Sequence, residues 1–250
     1  MQTVPKASTQ SEQVGHLIIA ATLAVFLPQL PFGQLIFYPF VLLTTWFHEM
    51  GHGIAATLMG WDFERLLLLS NGSGIAESYP DANAGRIEQA IVGAGGPLGP
   101  SMAGAVLIIA TRWREAWHPT LFALAGLIVL SVVVYVRSLA GWIALPLIAL
   151  GLAAIALRGS PAWQRFSLQF VGMVAALSMF SDWHYLFSYS GIIDGRPLLS
   201  DTGQIQQALA LPYWFWAGVI VIVSVLMVGA ALKFALAEDG AGAPARLRSP

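Results

Sequence analysis

The sequence predicts an all-α polytopic membrane protein with about seven transmembrane helices and a short β-hairpin after the second helix. Hydrophobic residues make up 57% of the 250 residues and charged residues only 10%, against roughly 45–50% and about 25% in soluble domains. A water-soluble protein of this size could not cover its surface with so few charges. We therefore expect an integral, multi-pass membrane protein whose first partner is the lipid bilayer.

Seven apolar runs are the candidate helices. They occupy about residues 16–27, 34–60, 87–110, 119–136, 139–157, 162–187 and 213–236. At about 1.5 Å per residue, a run of about 20 residues crosses a hydrocarbon core of roughly 30 Å. The first run has the length of a signal-peptide core. However, no small-x-small cleavage site follows it, and a second run begins after a tight turn at residues 28–33, so we interpret it as an uncleaved span.

The polar interval after the second run predicts the β-hairpin. The segments ERLLLLS and IAESY flank Asn71-Gly72-Ser73-Gly74, and Asn and Gly tolerate the positive φ angles of a tight turn. The alternative is a plain connecting loop.

The chain ends are polar, and the region between them predicts one domain. We expect a polar N-terminal segment at residues 1–15, a membrane-embedded domain at 16–236 and a flexible tail at 237–250. The chain has no cysteine, which excludes disulfides, thiol nucleophiles and cysteine metal ligands. A net charge of -1 without a strongly basic stretch indicates no nucleic-acid partner.

The second run contains the sequence HEMGH at residues 48–52. His48 and His52 are four residues apart, so they project from nearly one face of a helix and can bind one metal ion. Glu49 lies about 100° around the helix, where it can reach a metal-bound water without binding the metal. This H-E-x-x-H pattern is typical of zinc sites in which the Glu takes a proton from water. The alternative is a set of polar groups that hydrogen-bond between helices.

A catalytic zinc needs a third protein ligand, and the strongest candidate is Asp182. It is an isolated acid in the apolar segment SMFSDWHYLF, and the second and sixth runs point the same way across the membrane. An interfacial position at the helix end is the alternative. Asp194 and Asp201, in the loop that follows, are reserve ligands. His184 is two residues from Asp182 and would face away from it on a helix.

The third run opens with the Gly-rich sequence GAGGPLGPSMAG at residues 93–104. Glycines allow another helix to approach closely, and the two prolines should interrupt the helical hydrogen bonds. The segment predicts either a packed wall beside the metal or a kinked helix with simple helix packing.

Together these features resemble the site-2 protease group of intramembrane zinc metallopeptidases, most closely its compact bacterial branch without a PDZ domain. The resemblance covers about residues 37–216. It implies one Zn²⁺ held by His48, His52 and Asp182, with Glu49 as catalytic base, in a bacterial plasma membrane. It also places HEMGH and the N-terminus on the cytoplasmic side, although basic residues divide almost evenly between the two sides.

Two family motifs differ in this chain. The family pairs its late Asp with Gly, whereas Asp182 precedes Trp183 and the late Asp-Gly pair is Asp194-Gly195. The family's Gly-Pro-x-x-Asn element ends here in Pro100.

The resulting hypothesis is a zinc-dependent endopeptidase that cleaves transmembrane or membrane-proximal proteins. A non-proteolytic zinc-binding regulator or assembly factor is the alternative. A small-solute transporter is a third, weaker hypothesis, because the two halves of the chain show no repeat.

Overall fold

A computed structural model describes residues 10–193 and 195–237 as a helical bundle with two β-hairpins. Within these residues the elements follow in the order α1 Gln10–Phe26, α2 Gly33–Leu58, β1 Asp62–Leu68, β2 Gly74–Tyr79, α3 Arg86–Ala110, α4 Arg114–Val134, α5 Leu139–Arg158, α6 Pro161–Ser181, α7 Trp183–Leu186, β3 Ser190–Ile193, β4 Arg196–Leu199, α8 Asp201–Leu209 and α9 Tyr213–Leu236. Residues 1–9 and 238–250, within the predicted polar ends, lie outside the described residues.

Each predicted apolar run corresponds to one long helix, but the count of seven spans is not confirmed. In the described chain, α3, α4, α5 and α9 are long and apolar enough to cross a membrane. The α1 and α2 helices pass the same test only as a pair that is bent by 120°. The sixth run is shorter than predicted, because α6 ends at Ser181. Helix α6 buries Arg165, Ser167 and Gln169, and a helix shielded by its neighbours can keep such polar residues.

The β1–β2 hairpin forms where the sequence predicts it. Gly72 adopts a φ of 92°, and the Asn71 side chain accepts hydrogen bonds from the backbone and the hydroxyl of Ser73. Across the strands, Arg65 and Glu77 form an ion pair at 2.7 Å. The hydrogen bond to Glu77 raises the pKa of the Arg65 guanidinium.

The β3–β4 hairpin and α8 replace the single loop that the sequence analysis expected. The strands pair antiparallel, and Gly195 supplies a positive φ of 72° at the turn. Asp194, the reserve ligand beside it, lies outside the described residues.

Helix α3 lies at the centre of the bundle and contacts α2, α6, α8 and α9. It runs antiparallel to α2, since Gly95 packs on Gly51 while Gly99 packs on Phe47. A Cβ atom added to Gly95 would lie 2.6 Å from the Gly51 carbonyl oxygen. The Gly-rich segment therefore allows the two backbones to touch, as predicted, and α3 stays helical through both of its prolines.

The elements define two ends of the bundle. At the hairpin end, Val136 after α4 bridges to Leu66 of β1. At the opposite end, the Arg112 side chain after α3 donates a hydrogen bond to the Phe234 carbonyl near the end of α9. A core cluster around Trp46 joins α2, β1, α4, α5 and α6. The indole N–H of Trp46 donates a hydrogen bond to the Ser131 hydroxyl at 2.8 Å. This core fixes the position of α2.

Candidate metal centre

The two motif histidines share one face of α2, as their spacing predicts. Their ring centroids are 5.0 Å apart. Nδ1 of His52 lies 2.7 Å from the Val92 carbonyl oxygen on α3. Because a carbonyl only accepts hydrogen bonds, Nδ1 carries the proton, and the Nε2 lone pair is left for another partner.

The carboxylate that faces both imidazoles is Asp201. Its Oδ2 lies 3.1 Å from Nε2 of His48, and its Oδ1 lies 3.2 Å from Nε2 of His52. One ligand atom from each of the three residues lies within 4.8 Å of the others. In the part of the chain that the structure describes, these three residues form the group that could hold a metal ion.

Asp201 is held in place by the start of α8. The Ser200 hydroxyl caps this helix by accepting a hydrogen bond from the Gly203 N–H at 3.1 Å. The Thr202 hydroxyl donates to the Leu186 carbonyl of α7 at 2.8 Å. On the other side, a Cβ on Gly93 would lie only 3.4 Å from the Asp201 carbonyl oxygen, so α8 packs closely on α3. A carboxylate in the first turn of a helix is also favoured by the helix dipole.

Asp182, the predicted third ligand, lies next to this group but is not one of its three members. It follows the last residue of α6, and it lines a small pocket together with His48 and Asp201. His184, on the exposed side of α7, is also outside the group.

The sequence contained a signal for the position of Asp201. Ser200 precedes a polar helix, which is typical of an N-cap, and Asp194-Gly195 is a strong hairpin signal. A hairpin there turns the chain back and returns Asp201 to the end of α6.

Glu49 is buried, with 7% of its surface exposed, and it faces the β1–β2 hairpin. Its carboxylate lies close to the backbone of Ala76 on β2. A Cβ on Gly74 would lie 2.7 Å from Oε1 of Glu49. The absence of a side chain at Gly74 therefore leaves room for the Glu49 carboxylate.

The Gly-rich segment forms one wall of the site. This matches the first of the two predicted alternatives, a packed wall rather than a kinked helix with simple helix packing. A Cβ on Gly96 would overlap the His52 imidazole. Pro97 and Pro100 are buried and line the pocket beside His48. The pocket has about 10 Å³ of space for a water-sized molecule, which is about what one bound water requires.

The donor set fits a zinc ion. Two imidazole nitrogens and one carboxylate are ligands of known catalytic zinc sites, which leave a fourth position for water. Oδ2 of Asp201 is buried without a hydrogen-bond partner among the described residues, although His48 is close to it. A buried carboxylate oxygen without such a partner is costly, and a bound cation would satisfy it.

A comparison with known proteins identifies the family of the chain. A family model described as Peptidase M50B-like matches residues 16–231. The chain belongs to this family. The resemblance to the site-2 protease group is thereby confirmed. No curated protein and no solved structure matches the chain. The family is one of metallopeptidases, which supports a hydrolase, and the apolar helices support an integral membrane protein.

Proposed function

We propose that the chain is a zinc-dependent endopeptidase that hydrolyses peptide bonds of membrane-associated proteins. His48, His52 and Asp201 are its metal ligands, and Glu49 is its general base. The observation that carries the proposal is the convergence of both Nε2 atoms on the Asp201 carboxylate, with their neighbour Glu49 buried beside them. Such a set of groups is expensive within a membrane domain and marks a functional site.

The residues of the chain divide the chemistry between them. When bound, zinc would acidify a water molecule and polarise the substrate carbonyl. Glu49 accepts one proton from the water while the water oxygen forms a bond to the carbonyl carbon of the substrate. Glu49 then passes this proton to the amide nitrogen as the C–N bond breaks, so the products are a carboxyl group and an amine.

The outer edge of β2, which no other described strand covers, is suited to hold the substrate in an extended form. The outer edge of β1 is already occupied, because Leu66 exchanges backbone hydrogen bonds with Tyr135 and Arg137. Leu66 lies opposite Ala76 in the hairpin. The N–H and C=O of Leu66 point away from β2, because they bond to Tyr135 and Arg137. The pair is therefore a non-hydrogen-bonded one, and the N–H and C=O of Ala76 point outward from β2.

A strand laid along this edge would run beside Glu49. Strand addition at a sheet edge is a common mode of peptide recognition. It also solves a chemical problem, because the carbonyls of a substrate helix are engaged in its own hydrogen bonds until the helix unwinds. An unwound segment that pairs with β2 would present its carbonyls to the site.

Zinc content and proteolysis test the proposal together. Purified wild-type protein should hold one zinc per chain by atomic absorption, and the His48→Ala/His52→Ala double variant should hold almost none. His118→Ala is the matched control, since His118 lies on α4 outside the group. Equal zinc in the double variant and the wild type would disprove the metal site.

The role of Glu49 is tested by Glu49→Gln, which removes the base without removing a ligand. This variant should keep its zinc and lose cleavage of a transmembrane reporter substrate. Continued cleavage would contradict the mechanism. A wild-type protein that binds zinc but cleaves no substrate in a full membrane proteome would favour the non-proteolytic regulator.

A further inference from the structure

Tyr185 lies at the candidate metal centre, although no sequence motif points to it. It belongs to the short helix α7 and lines the small pocket with His48, Asp182 and Asp201. Its ring packs against Gly191 of β3, where an added Cβ would lie 3.5 Å from two ring carbons. The β3–β4 hairpin therefore contacts the Tyr185 ring.

The Tyr185 hydroxyl lies near the backbone of Asp201, the proposed third ligand. The Asp201 N–H belongs to the first turn of α8 and has no partner within that helix. When the phenol oxygen accepts a hydrogen bond from this N–H, its own proton is free to be donated elsewhere. The carboxylates of Asp201, Glu49 and Asp182 all lie close enough to act on the hydroxyl electrostatically.

The reaction also needs a hydrogen-bond donor to the substrate carbonyl oxygen, and the other side chains of the pocket do not supply one. Hydrolysis places negative charge on the carbonyl oxygen of the substrate, and a hydrogen-bond donor aimed at that oxygen accelerates the reaction. Pro97 and Pro100 have no N–H, and the Ser178 hydroxyl donates to the Ala175 carbonyl. Met179 and Leu186 are apolar.

We propose that the Tyr185 hydroxyl donates a hydrogen bond to the oxyanion that forms from the scissile carbonyl. The inference rests on the proposed peptidase function and adds a catalytic residue to it.

The first test is Tyr185→Phe, which removes the hydroxyl and keeps the ring on Gly191. We expect kcat to fall roughly 100-fold, the lower end of what the loss of one oxyanion donor costs. KM should change less than about twofold, because the bond forms only as charge develops. Tyr189→Phe is the matched control, since its hydroxyl faces Gln207 outside the pocket.

The second readout does not require turnover. A phosphinic pseudopeptide with leucine on each side of its tetrahedral phosphinyl group carries a charged oxygen like that of the oxyanion. Zinc-loaded Tyr185→Phe should bind it at least about 10-fold more weakly than wild type does, which corresponds to one lost hydrogen bond to a charged group. Tyr189→Phe should bind it as wild type does.

The outcomes separate this inference from the proposed function. Unchanged kcat in an active Tyr185→Phe variant overturns the inference, and so does equal binding of the pseudopeptide or its failure to bind wild type. Loss of zinc from Tyr185→Phe also overturns it, because the hydroxyl would then serve to position Asp201. Tyr185-dependent binding by a wild type that cleaves nothing supports the oxyanion site while refuting the peptidase function.

Discussion

Asp201 and Asp182 differ in how the chain fixes their side chains. Asp201 follows a Ser200 cap and precedes Thr202, whose hydroxyls bind carbonyls of the α7 region. These bonds hold its carboxylate against both imidazoles. Asp182 instead ends a helix, and its backbone N–H bonds to Ser178. It lies in the same pocket, so its charge acts near the site without being one of the three converging groups.

This difference predicts that two matched substitutions have unequal effects on zinc affinity. Asp201→Asn should weaken zinc binding by at least about 100-fold, because even loss of a group behind a metal ligand costs roughly 10–100-fold. Asp182→Asn should leave zinc affinity within about threefold of wild type. Competition with a fluorescent zinc chelator measures both. A large loss in Asp182→Asn together with none in Asp201→Asn would restore Asp182 as the third ligand.

At the scale of elements, the β1–β2 hairpin links substrate and base. One edge of this hairpin is tied to Val136, and the other edge carries the outward N–H of Ala76 beside Glu49. Alternate residues of β2 therefore have separate tasks. Those that bond to β1 maintain the hairpin, and the outward backbone groups of Ala76 lie beside Glu49.

A proline separates these tasks, because it removes an N–H and is tolerated where that N–H faces away from the partner strand. Ala76→Pro should keep the hairpin and the zinc, yet reduce cleavage of a transmembrane reporter at least about 10-fold. Ala76→Val, which keeps the N–H, is the control for side-chain bulk. The measurements are zinc content, melting temperature and cleavage rate. Normal cleavage by Ala76→Pro would show that the edge of β2 does not hold the substrate.

The same element shows what the sequence could predict. Local patterns were sufficient for the β1–β2 hairpin, for the two histidines on one face and for the close packing of the Gly-rich segment. The pairing of Asp201 with these histidines depends on how α8 packs on α3, which is a contact between distant parts of the chain. Tyr185 had no signal, since one tyrosine among apolar residues is also what a membrane interface contains.

At the scale of the whole molecule, the directions of the helices determine which chain ends share a side of the membrane. Helix α2 runs toward the hairpin end, and α3 returns from it. Helix α4 reaches the hairpin end again at Val136. The first helix is different, because Leu17 and Ala20 cluster with Ala231 and Ala235 at the end of α9. Those residues lie at the opposite end of the bundle.

We therefore expect α1 and α2 to act as one bent span, with the N-terminus on the side opposite the β1–β2 hairpin. The seven-span interpretation places both on the same side, so a single comparison distinguishes them. The chain has no cysteine, which allows Ser11→Cys and Asn71→Cys to be labelled without background. A membrane-impermeant maleimide added to sealed, oriented vesicles should label one variant, and the other should react only after the vesicles are opened. Labelling of both variants from one side would show that α1 crosses the membrane by itself, and the metal centre and the N-terminus would then share one side.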